Sequence, residues 1–283
     1  MAAGLCAYAL GSDTGGSVRM PAALCRVFGH KFSSKALPID GIFPLSPTLD
    51  SPGVFTATAR DAVTVWNALT DTNLNADLSL RGLRFGKPAP LFYDELDAEV
   101  ARGLDAALER LEQAGAEIIP VEVPEVEEFE AVFGRIVPVE LVDILGRDRV
   151  RSNLELFDPV TRARFRAVLD LPTDDCNQAR VRQTVVRDAV QKRMAGCDAW
   201  ITPTTPLVPG PLSAYSTLEA ALAWNRRALR NTRPGNVFDQ CGVSLPLPGA
   251  ALPVGLQLLC PAMQDAKLLA VACALEAALS FRK

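Results

Sequence analysis

Strand-like sequence occurs twice in residues 83–123, as Leu83-Arg84-Phe85-Gly86 and as Ile118-Ile119-Pro120-Val121-Glu122-Val123. Asp97 is expected to cap a helix between the two strands, and Gly115 is expected to end it. The apolar residues of that helix fall on one face: Val100, Leu104, Leu108 and Leu111. A strand, a helix and a second strand at this spacing form a βαβ-type unit. The sequence therefore predicts an α/β fold built on a layered sheet.

Weaker patterns extend this prediction to the rest of the chain. Pro88 and Pro90 are expected to close the first of the two strands, and residues 125–195 are mostly helical in character. The remaining predicted elements are a brief helix over 21–27 stopped by Gly29, a helix over 61–69 with Asp61 as its N-cap, strand and turn over 197–212, a strand over 252–259, and a helix from Asp265. No repeat or linker marks a boundary, so one domain over 1–283 is expected.

Composition narrows the possible functions. The 283 residues are 49% hydrophobic and 22% charged with a formal charge of −4, which indicates a globular chain without a cationic surface for nucleic acid or anionic lipid. Seven cysteines without a C-x-x-C pair, together with a single histidine, His30, argue against a metal site or a disulfide framework. Neither a signal peptide nor an apolar membrane span is recognisable. We expect a cytoplasmic protein without metal or cofactor, in which His30 has a structural role.

The segment Gly11-Ser12-Asp13-Thr14-Gly15-Gly16-Ser17-Val18-Arg19-Met20-Pro21 is the candidate for chemistry. Adjacent glycines before a serine permit a tight turn whose N–H groups point to one place beside the hydroxyl. Acyl transfer needs a nucleophilic oxygen and backbone donors that stabilise the negative charge on the carbonyl oxygen. Here Ser17 would be the nucleophile, and the N–H groups of Thr14, Gly15, Gly16 and Ser17 would form the oxyanion hole. Asp13 and Arg19 are expected to shape the loop through charge-assisted hydrogen bonds. A polar turn without chemistry is the alternative.

A second catalytic interpretation comes from Asp13-Thr14-Gly15, the D-T-G of aspartic proteases. Those enzymes need two aspartates that share a proton. The nearest second candidate, Asp71-Thr72-Asn73, lacks the glycine, and the several amphipathic helices do not suit a mostly β protease. We therefore disfavour this interpretation.

The glycine-serine segment, taken with later motifs, resembles the amidase signature family. The further matching motifs are Gly29 and Lys31, Gly41, Pro44, Leu49-Asp50, Gly53, Asp61-Ala62, Ile201-Thr202-Pro203-Thr204, Asn236, Gly242-Val243-Ser244-Leu245-Pro246, and Leu252-Pro253-Val254-Gly255-Leu256-Gln257. The resemblance implies a mixed central β-sheet between layers of helices. It also implies hydrolysis of a small-molecule amide through a Ser17 acyl-enzyme, with a Ser-cisSer-Lys triad. Residues 1–60 would then hold the nucleophile loop and core, and residues 125–195, where the resemblance is weakest, a variable substrate pocket.

The chain departs from the family pattern at two places. The family's catalytic lysine and cis-serine precede the nucleophile and are absent from this chain, so an amidase without its first portion is expected, nearly inactive alone and with exposed apolar surface. After Lys31, Phe32-Ser33 and Lys35-Ala36 replace the usual Pro-Thr and Gly-Arg. The identity of the amide and the formation of a homodimer stay open. Two alternative functions also stay open: the glutaminase-type subunit of a tRNA-dependent amidotransferase, and a non-catalytic remnant of an amidase.

Overall fold

The computed structural model describes residues 1–280 and contains a mixed, eight-stranded sheet. The strands are β1 (Tyr8–Ser12), β2 (Phe28–Lys31), β3 (Pro52–Thr56), β4 (Arg84–Ala89), β5 (Glu117–Glu122), β6 (Ala199–Pro203), β7 (Gln240–Pro246) and β8 (Gly255–Pro261). Their spatial order is β1-β3-β2-β7-β8-β6-β4-β5. β4 pairs in parallel with β5 and β6, and the other neighbours are antiparallel. The predicted α/β class is confirmed.

Helices connect and cover these strands. They are α1 (Arg19–Leu24), α2 (Ala59–Thr70), α3 (Ala98–Gln113), α4 (Phe129–Leu145), α5 (Arg147–Ser152), α6 (Pro159–Arg166), α7 (Thr173–Arg193), α8 (Leu218–Ala228), α9 (Arg233–Val237) and α10 (Asp265–Leu279). Among the residues described, no helix combines the length and the hydropathy needed to cross a membrane.

The two faces of the sheet bury different groups of residues. Along β8, Leu256, Leu258 and Cys260 join one apolar core, whereas Gln257 and Leu259 point to the opposite face because side chains alternate along a strand. The first core also contains apolar residues of α2, α3 and α10. The second contains residues of α4, α7 and α9. The sheet therefore lies between helical layers, and buried polar side chains are concentrated on its second face.

The βαβ prediction for residues 83–123 is confirmed by β4, α3 and β5, but the predicted end of β4 is wrong. β4 continues through Pro88, which pairs in register with Val121 of β5. β6 pairs with β4 only at Phe85 and Gly86. Pro88 therefore lies where one edge of β4 has no strand partner among the described residues, and its missing N–H removes no ladder hydrogen bond.

Three other predicted boundaries also need correction. Thr58, not Asp61, is the N-cap of α2, and Asp61 lies three residues later in a reciprocal capping box with Thr58. The first helix spans Arg19–Leu24 instead of 21–27, because Arg26 adopts a left-handed φ of 55°. The last strand begins at Gly255, not at residue 252, since Leu252 is exposed in the turn after β7.

Candidate active site

Ser17 lies on a short loop between β1 and α1. Its side chain is exposed, while the preceding residues Asp13, Thr14, Gly15 and Gly16 are buried. Within residues 1–280, no hydrogen bond reaches Ser17 Oγ. Gly16 has a φ of 123°, and a Cβ added there would overlap the side chain of Thr232. Only glycine fits this position, both for its backbone conformation and for its space.

Asp13 and Arg19 form a fully buried ion pair beneath the loop. Arg19 Nη2 donates to Asp13 Oδ1 at 2.9 Å and Arg19 Nε donates to Asp13 Oδ2 at 3.1 Å, a two-bond geometry that favours charge-assisted pairing. The Asp13 carboxylate also accepts the N–H groups of Gly16, Val18 and Arg19. Burial alone would raise the pKa of Asp13, but the adjacent Arg19 holds that pKa well below its usual range.

Two residues from the end of the chain complete this network. Arg19 Nη2 donates to Asn236 Oδ1 at 2.6 Å, and Arg19 Nη1 donates to Gln257 Oε1 at 2.9 Å. Asn236 Nδ2 in turn donates to the Asp13 carbonyl and carboxylate, each at 3.0 Å. Sequence reasoning matched Asn236 and Gln257 to family motifs and gave them no role. Their burial in the structure explains why those motifs contain amides: each side chain both donates and accepts.

Further hydrogen bonds fix the outer side of the loop. Thr14 Oγ1 donates to Asp50 Oδ1 at 2.5 Å, and Asp50 Oδ2 accepts the N–H groups of Leu45 and Ser46. Thr232 Oγ1 donates to the Gly15 carbonyl at 2.8 Å. Hydrogen bonds to Arg19, Asp50 and Thr232 therefore fix the glycine-serine loop, so the position of Ser17 is set before any ligand binds.

The four backbone N–H groups singled out in the sequence differ in their hydrogen bonding. The Gly16 N–H donates to Asp13 Oδ1 at 2.8 Å, so the loop itself occupies it. The N–H groups of Thr14, Gly15 and Ser17 donate to no acceptor within the described part of the chain. These are the amides that stay available to a ligand beside Ser17.

Neither His30 nor Lys31 hydrogen bonds to Ser17, and the contacts that both make within the described residues are structural. His30 is fully buried, with Nε2 3.3 Å from Asp265 Oδ1 and its ring against Phe32 and Trp66. Lys31 Nζ donates to the carbonyls of Gln240 and Phe32, and burial lowers the pKa of Lys31. The structure also argues against the aspartic-protease interpretation that the sequence disfavoured. Asp13 is paired with Arg19 and is therefore not placed to share a proton with a second aspartate.

A pocket of about 500 Å³ opens beside Ser17, a size that suits a small molecule. One face of α4 forms its floor, through residues spaced three or four apart. The lining residues of α4 are Glu130, Phe133, Gly134, Val137, Pro138 and Leu141. Thr161, Arg164 and Phe165 of α6 and Asn225 and Arg226 of α8 form the walls, with Leu229 and Arg233. Much of the lining therefore comes from residues 125–195.

The chain is similar to known amidases over nearly its whole length. The profile of the family described as Amidase matches residues 1–269. A 2-amino-5-chloromuconic acid deaminase from Comamonas testosteroni is 33% identical over 95% of this chain and 60% of its own length. An indoleacetamide hydrolase from Rhizobium radiobacter is 30% identical over 96% of this chain and 63% of its own length.

A solved structure gives the same result. The crystal structure of an amidase superposes on this chain with a TM-score of 0.86 at 29% sequence identity. The superposition covers 96% of this chain and 63% of the amidase chain. The chain thus spans 60 to 63% of the length of these relatives. With the family profile matching residues 1–269 and the sheet, helices and glycine-serine loop all in place, this chain belongs to the amidase family.

Proposed function

We propose that this protein hydrolyses a small-molecule amide to a carboxylate and ammonia or an amine, with Ser17 as the nucleophile. The observation that carries the proposal is the position of Ser17: an exposed hydroxyl on a loop fixed by buried hydrogen bonds, at the edge of a pocket. Membership of the amidase family adds the reaction class.

In the proposed reaction, Ser17 Oγ attacks the amide carbon and its hydroxyl proton is transferred to the departing nitrogen. The C–N bond breaks and an ester with Ser17 forms. Water then attacks the ester, releases the carboxylic acid and returns a proton to Ser17. The N–H groups of Thr14, Gly15 and Ser17 are the proposed donors to the oxygen that becomes negative in each step, and Gly16 keeps the loop in its turn through Asp13.

The proton acceptor for Ser17 is part of the same proposal. Within the described chain, neither a lysine nor a carboxylate hydrogen bonds to Ser17, and Lys31 is occupied by two carbonyls. A hydroxyl without a base is a poor nucleophile at neutral pH. The triad that the family resemblance implies, Ser-cisSer-Lys, would supply that base from residues that match no position of this sequence.

Slow reaction with an excess of a fluorophosphonate probe tests the assignment of Ser17, because the oxyanion donors favour this serine over others even where no described base contacts it. Mass spectrometry of the labelled protein should find the adduct on the peptide that contains Ser17, and Ser17→Ala should remove it. Ser12→Ala is the matched control, because Ser12 is also exposed on the same segment and should leave labelling unchanged. Labelling elsewhere, or equal labelling of Ser17→Ala, would show that Ser17 is not the preferred nucleophile of this chain and would favour a non-catalytic remnant.

The reducing cytoplasm is the proposed location. Seven cysteines occur as free thiols, of which Cys176, Cys241, Cys260 and Cys273 are buried. Burial raises the pKa of the Cys241 thiol, and raises that of Cys260 to about 12, so both behave as small apolar side chains. Free thiols of this kind suit a compartment in which disulfides do not persist.

A further inference from the structure

The pocket beside Ser17 contains an excess of positive charge. Its lining includes three arginines, Arg164, Arg226 and Arg233, and within the described residues one carboxylate, Glu130. The remaining lining is mostly apolar: Phe133, Val137, Leu141, Phe165, Val168 and Leu229. A pocket built only for a neutral hydrocarbon amide has no need for three guanidinium groups.

Arg233 is the most buried of these cations, with 15% of its side chain exposed. Its guanidinium carbon lies 4.9 Å from the centre of the Phe133 ring. Its Nη1 is 3.6 Å from Glu130 Oε1, too far for a hydrogen bond, and its Nε is shielded from solvent without a hydrogen-bond partner in residues 1–280. This mostly buried guanidinium has one carboxylate at ion-pair distance but no side-chain hydrogen bond to a described residue, so it lacks the acceptors that such a group normally has.

Charge on Arg233 persists despite this burial. Desolvation lowers the pKa of Arg233 to about 10, an effect that Glu130 opposes and that Arg164 and Arg226 reinforce. The side chain therefore stays cationic at neutral pH, and the two other arginines repel it instead of neutralising it.

Neither of the other two arginines forms an ion pair with a carboxylate among the described residues. Arg164 Nη2 donates to the uncharged Asn225 Oδ1 at 2.5 Å, and Arg226 makes no ion pair or side-chain hydrogen bond with any described residue. An arginine nearby but outside this pocket does find a carboxylate at hydrogen-bond distance: Arg227 Nη2 is 2.7 Å from Asp97 Oδ1. Among the described residues, no arginine of the pocket therefore has a carboxylate oxygen at hydrogen-bond distance.

Arg233 also lies against the nucleophile loop. A Cβ added at Gly15 would be 3.4 Å from Arg233 Cγ and 2.7 Å from the Phe133 ring. The Gly15 N–H is one of the proposed oxyanion donors, and Ser17 follows two residues later. A small molecule that contacts Arg233 therefore has its other end within reach of Ser17.

We propose that the pocket binds amides that also carry a carboxylate, with Arg233, Arg226 and Arg164 binding the carboxylate while a short hydrocarbon spacer crosses the apolar lining and places the amide at Ser17. Guanidinium groups suit this task because their planar donors match a carboxylate. This inference rests on the proposed amide hydrolysis for the meaning of the Ser17 end, and on the arginines alone for the preference for an anion.

The test compares monoamides of dicarboxylic acids, from malonic to adipic acid, with the uncharged diamides of the same length. Ligand-detected NMR titration of the 283-residue chain gives the dissociation constants without any need for turnover. For at least one length, the monoamide should bind at least tenfold more tightly than its diamide, and added potassium chloride should weaken only the monoamide. Equal affinities for every pair, or no binding of any monoamide, would overturn the inference.

Three variants locate the preference. Arg226→Gln and Arg233→Gln should each weaken monoamide binding at least fivefold and leave diamide binding unchanged. Arg226 is exposed, so its variant keeps the test decisive where Arg233→Gln impairs folding. Arg60→Gln, at an exposed ion pair on α2, should change neither affinity. An unchanged preference in Arg226→Gln and in a folded Arg233→Gln contradicts the assignment.

The two proposals fail in different experiments. Loss of the fluorophosphonate adduct at Ser17 with an intact preference for monoamides would remove the amide hydrolysis and keep the anion pocket. An adduct at Ser17 with no preference for monoamides would do the reverse.

Discussion

Arg19 Nη2 lies 2.9 Å from Asp13 Oδ1, with both side chains wholly removed from solvent. Removal of two charges from water is expensive, and this pair offsets the cost through hydrogen bonds to Gly16, Asn236 and Gln257 as well as to each other. The pair also shapes the chain, since the Asp13 carboxylate accepts the backbone N–H groups of Gly16, Val18 and Arg19, on both sides of Ser17. Stability and the geometry of the nucleophile loop therefore depend on the same two residues.

Asp13→Asn should cost about 3–5 kcal/mol of unfolding free energy, because it leaves a buried, uncompensated Arg19. Urea denaturation followed by circular dichroism measures the change, and labelling of Ser17 by the fluorophosphonate should fall in parallel. Asp77→Asn is the control, since Asp77 pairs with Arg60 in full view of solvent and should leave both measurements at the wild-type value. An Asp13→Asn protein as stable as wild type would contradict this account of the loop.

Gly16→Ala should abolish labelling of Ser17. The alanine would have to adopt a φ of 123°, which costs roughly 1–3 kcal/mol of strain, and its methyl group would overlap Thr232. Gly41→Ala isolates the first effect, because Gly41 also has a positive φ, of 83°, but a Cβ there meets no atom within 4 Å. Labelling should survive in Gly41→Ala, and equal labelling in both variants would contradict the argument.

Much of the fold could be predicted because its signals are local. The βαβ unit at residues 83–123 shows in the alternation from strand to helix periodicity, and only its boundary at Pro88 was wrong, because which edge of β4 lacks a partner is set by the whole sheet. The role of Asp13 and Arg19 in shaping the loop was also accessible, since the two residues lie six apart and have opposite charge.

The rest of the site depends on contacts between distant parts of the chain. Asn236 and Gln257 lie 217 and 238 residues after Arg19. The sequence pattern around each amide does not predict that its side chain hydrogen bonds to Arg19. Arg233 and Phe133 meet each other only because α4 and α9 pack on the same face of the sheet. The arginines near 147–166 and 226–233 are indistinguishable in the sequence, and only the structure separates those with carboxylate partners from those without.

The stability contributed by Asp265 should depend on pH in a defined direction. Burial raises the pKa of this carboxyl, but His30 and two hydrogen bonds from Ser33 outweigh burial and lower it. A carboxyl with a lowered folded-state pKa stabilises the protein above its unfolded-state pKa, about 3.9, and loses that contribution as the pH falls through the folded-state value. Asp265→Asn should therefore be clearly destabilised at pH 7, with a difference from wild type that shrinks below about pH 4. Urea titrations across this range measure it, and a difference that grows on acidification would contradict the assignment.

Hydrolysis of simple amides by the 283-residue chain should be slow. Among the described residues no base contacts Ser17, and loss of triad partners leaves catalysis that depends on the oxyanion donors and on binding, about 10³–10⁴-fold above water. Ammonia release from a panel of aliphatic and aromatic amides, coupled to glutamate dehydrogenase, measures the rate, with Ser17→Ala as the blank. Turnover at ordinary enzymatic rates that Ser17→Ala removes would show that a base reaches Ser17 from within this chain.

The outer strand β1 should promote self-association. Leu10 pairs in register with Val54 and lies on the same face of the sheet, yet Val54 is fully buried whereas Leu10 is 62% exposed and Tyr8 54% exposed. The far edge of β1 has no strand partner in residues 1–280, and an apolar strand with free backbone groups is a template for another chain.

Leu10→Lys should reduce the larger species seen in sedimentation velocity, because a charge opposes strand pairing at an edge. Leu156→Lys is the matched control, since Leu156 is 83% exposed but lies outside any strand. A wild-type protein that sediments as one monomeric species at high concentration, or an equal effect of both substitutions, would mean that this edge is not the site of association.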